Sequence, residues 1–379
     1  MSTTTHPAND QQERQRDLAS LPKAELHLHL EGSMRRRTME ELCEKYDIPI
    51  PMDTAQQRFK DFSAFVDVYI AACNCLREPA DVKRLVLEVV EDAKESGAAW
   101  VEIAPSFTFY ADQFGGMFQT LKLLVDSAEE AELKTGVSIG LVISVERQLG
   151  VVEAKKLAFL TKLAVRGDGG GGGGKEALMI CGRPAVIGFG LHGPEEGNPP
   201  SQFANAFDIA CSVSDDNDDN DDNGINYRIA SLPHAGEIAP SIGQGAQSVI
   251  DAVKILKAKR IGHGVLAYGD EDAMRLLADS NVCLDVCVSS NYLLNVVPTI
   301  ESHPLVKLLE RDIPCSINSD DPLLFGCTLL GEYNVCRQDL CMDDSMLAKC
   351  ARYSFQYSCA PEDIKTKNLL NIDRWLCSS

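Results

Sequence analysis

The sequence predicts an α/β chain of 379 residues closed into a (β/α)8, TIM-type barrel. Three observations carry this. Short runs rich in Val and Ile alternate with longer stretches of helical period, the pattern of parallel strands joined by helical crossovers. The runs number eight, which is the count that closes such a barrel. And "HLEGSM", which follows the first run, is not the glycine fingerprint that an open doubly wound sheet carries after its first strand.

The strands are expected in order at "AELHLHL" (24–30), "AAWVEIAPS" (98–106), "VSIGLVISV" (137–145), "AVIGFGL" (185–191), "RIASLPH" (228–234), "KRIGHG" (259–264), "VCLDVCVSS" (282–290) and "PCSINSD" (314–320). In the first, side chains alternate across the strand, so Leu26, Leu28 and Leu30 share one face while His27 and His29 share the other. Two imidazoles on a strand that looks buried are costly unless something satisfies both, and a metal is the commonest such partner. Between the strands lie helical segments such as "PADVKRLVLEVVEDAKESG" and "GQGAQSVIDAVKILKAKR", the latter ending in the basic turn a helix C-terminus favours. Extra helices are expected after strand one. There, in roughly 49–78, the aromatics of "FKDFSAFVDVY" either pack or fold over the barrel mouth as a hydrophobic lid.

Residues 1–20 read as a disordered tail and 21–379 as one domain, since barrels of this kind exceed 250 residues as single units. Two low-complexity inserts, at 167–175 and 214–224, each join a helix to a strand at the face opposite the site. The second contains "DDNDDNDDNG", which lacks the closing glutamate of a calcium loop and reads as a solvated loop.

With 45% hydrophobic residues the chain can bury a large core, and its net charge of −20 argues against a nucleic-acid or anionic-membrane partner. No apolar export signal opens the sequence and no run reaches the length of a membrane span, so a cytoplasmic location is expected. The fourteen cysteines form no C-x-x-C pair and read as reduced thiols.

In a barrel, chemistry sits at the C-terminal ends of the strands. His27 and His29 close strand one, His234 strand five, His263 strand six, and Asp320 with Asp321 strand eight. His192 follows strand four in a context that suggests a loop, and His303 precedes a proline outside any strand. Three imidazoles and a carboxylate, namely His27, His29, His234 and Asp320, suit one Zn2+ ion per chain with a position left for water. Zinc lowers the pKa of water from about 15.7 towards 7 and so provides a hydrolytic nucleophile. Glu237, three residues beyond a ligand, is placed to donate a proton, His263 to hold or deprotonate the attacking water, and Asp321 to contact substrate. From the residues alone the chain is a metal-dependent hydrolase with a general acid. It has neither the H-E-x-x-H helix of a metalloprotease nor the zinc motif of the cytidine-deaminase type.

Five ordered motifs, "LPKAELHLHLEGS", "LPHAGE", "RIGHGV", "VSSN" and "NSDDPLLFG", resemble the adenosine deaminase family of metal-dependent amidohydrolases from about residue 20 to 360. The resemblance implies loss of ammonia from C6 of a 6-aminopurine. His27, His29, His234 and Asp320 would hold the metal, Glu237 would protonate N1 and His263 would steer the hydroxide. Asp321 would bond N7, and the backbone amide of Gly193 would meet N3. Glu31 stands where adenosine deaminases tend to have the aspartate that binds the ribose 5′-hydroxyl. Glutamate there resembles the branch that includes adenine and aminodeoxyfutalosine deaminases, whereas Gly262 differs from the aspartate usual in adenine-specific relatives. The implied substrate is a purine nucleoside, adenosine or 2′-deoxyadenosine, with adenine, aminodeoxyfutalosine and N6-methyl-AMP as alternatives. A nucleoside-binding barrel without catalysis is the alternative from another class.

Overall fold

The computed structural model describes residues 15–167, 177–212 and 228–378. Both low-complexity inserts, 167–175 and 214–224, fall outside the described residues apart from Gly167. Eight parallel strands form one sheet: β1 Lys23–His29, β2 Ala98–Ala104, β3 Ser138–Glu146, β4 Val186–His192, β5 Ala230–Ala235, β6 Arg260–His263, β7 Cys283–Val286 and β8 Cys315–Ile317. Each pairs with the next in sequence, the order that right-handed helical crossovers produce.

The seam between β8 and β1 is closed by hydrogen bonds from both sides, Ser319 N to Glu25 Oε1 at 2.8 Å among them. His29 N donates to Asp320 O at 3.1 Å, Asp320 N donates to His27 O at 3.1 Å, and Leu26 N donates to the Asn318 side chain at 2.8 Å. Closure of the barrel and assembly of the histidine cluster therefore use the same residues. On β1, Leu26 and Leu28 are buried against the outer helices, as the alternation of "LHLHL" requires.

Two strands are shorter than expected. β7 stops at Val286, and "VSSNYL" forms a helix, Val288–Leu293, instead of continuing. Its serines and asparagine have low strand propensity, and the helix brings Asn291 back over the barrel. β8 stops at Ile317; the chain leaves the ladder and Asp320 takes a left-handed backbone, φ +64°. The helix expected over 243–260 ends at Lys254, because Lys257 turns left-handed at φ +55°, so most of the basic turn lies past the helix end. A two-residue antiparallel hairpin, Met179–Ile180 with Arg183–Pro184, was not expected.

Three helices fill the long β1–β2 connection: α1 Arg36–Tyr46, α2 Phe62–Asn74 and α3 Pro79–Glu95. Asp61 caps α2 through the amide of Ala64, and the capping residues Glu78 and Asp81 with Pro79 start α3. The expected tail boundary at residue 20 lies too late, since Leu18 is buried and Trp375 donates its indole N–H to Asp17 O at 2.9 Å.

Below the histidines, the barrel interior holds charge as well as hydrocarbon. Arg260 is fully buried and binds Glu102 Oε2 at 2.6 Å and Asp285 Oδ2 at 2.9 Å. Ser316 donates to the other Asp285 oxygen, and Cys359 N donates to Glu102 Oε1. Every fork of this ion triad is bonded, which a buried charge group requires.

Candidate active site and metal centre

At the C-terminal rim of the barrel His29, His234, Asp320, Glu237, Asp321 and Gly193 line one cavity, with His27 and His263 behind them against Asp320 and Glu237. Nε2 of His27 and Nε2 of His29 lie 3.2 and 3.3 Å from Asp320 Oδ1, and the Nε2 atoms of His29 and His234 are 3.2 Å apart. One donor atom from each of His27, His29 and His234 falls within 4.8 Å of the others. Burial lowers the His29 and His234 pKa values well below the ordinary range, leaving the neutral imidazoles a metal needs. Burial alone would raise the carboxyl of Asp320, but His27, His263 and His29 outweigh it and keep the group ionised. Nε2 of His27 and Nδ1 of His234 are buried without a hydrogen-bond partner among the described residues. Converging, deprotonated donors with orphaned nitrogens fit a divalent ion. Cys287 is also close to His27 and Asp320, but burial pushes its thiol well up, which suits a spectator rather than a ligand.

Two glycines make this convergence possible. A Cβ at Gly262 would come within 2.7 Å of His27 Cε1 and 3.0 Å of His234 Cγ, so the position before His263 is kept bare by the ligand rings themselves. A Cβ at Gly32 would strike the Asp321 carboxylate, which packs directly on the "EGS" turn.

Glu237 Oε1 lies 3.5 Å from His263 Nε2. Burial, with Asp320 and Glu195 nearby, raises its pKa well above the usual carboxylate range, which favours the protonated form. Asp321 is raised likewise by burial and by Asp320. His263 is lowered to about 3 by burial and stays neutral. The site thus sets a carboxyl held low, Asp320, beside two held high, Glu237 and Asp321, the divergence expected of acid–base chemistry.

The cavity offers about 60 Å³ of space and is partly open to solvent. Phe62, Phe65, Val66, Tyr69 and Ile70 of α2 form one wall, so the segment read as packing or lid lies across the mouth. Glu31 behaves differently from its expected role. It is fully buried, is not among the cavity-lining residues, and its oxygens are taken by Tyr69 (2.8 Å), Tyr110 (2.5 Å) and the Ser106 amide (3.0 Å). In this arrangement Glu31 ties the lid helix to the barrel.

Several residues escaped sequence reasoning. His192 is not in a loop: it ends β4, buried, with Nε2 2.7 Å from Glu146 Oε1 at the end of β3. His303, far from any strand, reaches the site through Asn291. Glu195 accepts the amides of Gly236, Glu237 and Ile238 at 3.0, 2.8 and 3.1 Å. Arg147, fully buried, donates to His234 O at 2.7 Å. The signal for Glu146 and His192 is their position directly after the predicted strands 137–145 and 185–191; Glu195 and Arg147 carry no motif.

The family model described as adenosine deaminase matches residues 22–375. The chain belongs to the adenosine deaminase family. A protein of Streptomyces virginiae, provisionally described as an adenosine/adenine deaminase, is 36% identical over 372 residues, covering 96% of this chain and 99% of its own. An aminodeoxyfutalosine deaminase of Streptomyces coelicolor is 30% identical, covering 95% and 87%. Among solved structures, adenine deaminase from Arthrobacter aurescens superposes with a TM-score of 0.77 at 25% identity, covering 94% of this chain and 99% of that one. Family, fold and ligand cluster together make this a metal-dependent deaminase. No helix among the described residues is long and apolar enough to cross a membrane.

Proposed function

We propose that the protein catalyses hydrolytic deamination of a 6-aminopurine nucleoside, adenosine or 2′-deoxyadenosine, giving inosine or its deoxy analogue and ammonia, as a cytoplasmic step of purine salvage. The observation that carries this reading is Glu237: a buried carboxyl with a raised pKa, 3.5 Å from His263 Nε2 at the edge of the histidine cluster. His27, His29, His234 and Asp320 are the residues to hold the metal, for which Zn2+ suits three imidazoles and one carboxylate. When bound, the ion supplies a water acidified towards neutrality.

The chain's own groups account for the rest. Adding water across C6–N1 puts oxygen on C6 and a proton on N1, and Glu237 is the donor to N1. Loss of ammonia from C6 then restores the ring as the 6-oxopurine. His263, neutral, orients the attacking water. Asp321, whose pKa burial and Asp320 raise, would in its protonated form give a hydrogen to N7, which only accepts. Gly193 has φ +92°, a conformation glycine adopts freely, and bears no side chain to keep a ring away from its amide. Among the described residues no lysine or arginine lines the cavity, and Arg36 and Arg37 after "EGSM" pair with Glu40 and Glu41, which argues for a nucleoside over a nucleotide such as N6-methyl-AMP. Replacing Glu237 with Gln tests the reading: ammonia release from adenosine should fall by about a hundredfold or more while the metal stays bound. Full retained activity would refute the role.

A further inference from the structure

Resting on that reading, we propose that Glu146 and His192 form the subsite that recognises a sugar hydroxyl of the nucleoside. Both are register partners at the C-terminal ends of adjacent strands β3 and β4, and both line the cavity. Each is about 5% exposed. Their contact at 2.7 Å is close, yet it does not meet hydrogen-bond geometry, so Glu146 Oε1 and both ring nitrogens of His192 lack hydrogen-bond partners among the described residues. Buried polar atoms left this way are rare and mark a place where a ligand group belongs.

The chemistry of the pair selects the group. An imidazole ring nitrogen can give a hydrogen bond to an oxygen, and a carboxylate oxygen can take one. A hydroxyl, which both donates and accepts, satisfies them together. A phosphate does not, since it would face Glu146 with no cation on the wall to offset the charge. Position agrees with this. His192 immediately precedes Gly193, whose amide is assigned to N3, and N3 and N9 flank the same ring carbon. The sugar on N9 therefore leaves the ring beside His192. Glu31, the residue first assigned to the sugar, has its oxygens occupied by Tyr69, Tyr110 and Ser106.

Glu146 and His192 are not needed for proton transfer in the proposed chemistry, so their effect should fall on substrate preference. The test measures kcat/KM for adenosine, its 2′-, 3′- and 5′-deoxy analogues, and adenine, with the wild type, Glu146→Gln and His192→Phe. Glu146→Gln keeps the shape of the side chain, and zinc content of each variant reports an intact site. The wild type should prefer adenosine to adenine, and each variant should lower that preference by about tenfold to a hundredfold, the range for a hydrogen bond to a charged group. One deoxy analogue should be a poorer wild-type substrate that the variants do not impair further, which identifies the hydroxyl. An adenosine-to-adenine ratio equal in wild type and zinc-loaded variants would overturn the subsite and leave the deaminase reading standing. Wild-type turnover of adenine but not adenosine would overturn it as well. Ammonia from no purine at all would remove both.

Discussion

The Nδ2 of Asn291 lies 3.2 Å from Nδ1 of His263, and this contact fixes which nitrogen of His263 carries its proton. The assignment starts from a group that can only donate. Leu305 N donates to His303 Nδ1 at 3.1 Å, so a neutral His303 holds its proton on Nε2 and gives it to Asn291 Oδ1 at 3.1 Å. The Asn291 amide must then donate to His263 Nδ1, leaving the His263 proton on Nε2. That atom faces Glu237 at 3.5 Å and Asp320 at 3.8 Å.

Breaking this chain should slow catalysis without removing the metal. His303→Ala and Asn291→Ala should each lower kcat by about tenfold to a hundredfold, the usual effect of losing a group that orients a site residue. Steady-state kinetics beside metal analysis checks this, and unchanged kcat in both variants would show that the His263 tautomer is set elsewhere.

Glu195 holds the turn that carries Glu237 and adds negative charge beside it. Glu195→Gln should lower kcat more than it changes KM. It should also shift the alkaline limb of the pH profile to lower pH, because removing a nearby negative charge lowers the Glu237 pKa and the acid is lost sooner. A profile that keeps its alkaline limb would argue against this coupling.

Much of this was legible in the sequence, and its limits have physical causes. The strands β1–β6 and the convergence of His27, His29, His234 and Asp320 could be read because apolar alternation and histidines at strand ends are local patterns. The C-terminal part of 282–290 reads as strand because Val and Cys continue the apolar run, yet the Val288–Leu293 helix is set by Asn291 meeting His263 and His303 in space. Glu31 fits a familiar motif position, but its environment is decided by Tyr69 and Tyr110, which lie 38 and 79 residues away. Arg260 looked like part of a basic turn, and only closure of the barrel brings Glu102 and Asp285 to it.

Removing Arg260 should therefore unfold more than it repacks. Arg260→Met leaves Glu102 and Asp285 buried without their cation, at a cost of about 3–5 kcal/mol. Denaturant unfolding measures the loss, and a change below about 1 kcal/mol would mean that the carboxylates neutralise or rehydrate cheaply.

Stability should also depend on Glu332, buried in the helix Leu329–Gln338, whose pKa burial raises to about 7. Because the folded value exceeds the unfolded one, its contribution is fully present below about pH 4.5 and is lost as pH rises through 7. The span corresponds to at most about 3 kcal/mol. Glu332→Gln should flatten the stability profile across that window relative to wild type, as followed by unfolding at a series of pH values. Parallel profiles would exclude an effect of Glu332.

The most direct test of the central claim joins metal analysis to product analysis on the purified chain. The account predicts one divalent ion per chain and equimolar inosine and ammonia from adenosine, with activity lost on chelation and restored by Zn2+. Metal-loaded, folded protein that leaves adenosine and every other 6-aminopurine intact would contradict it.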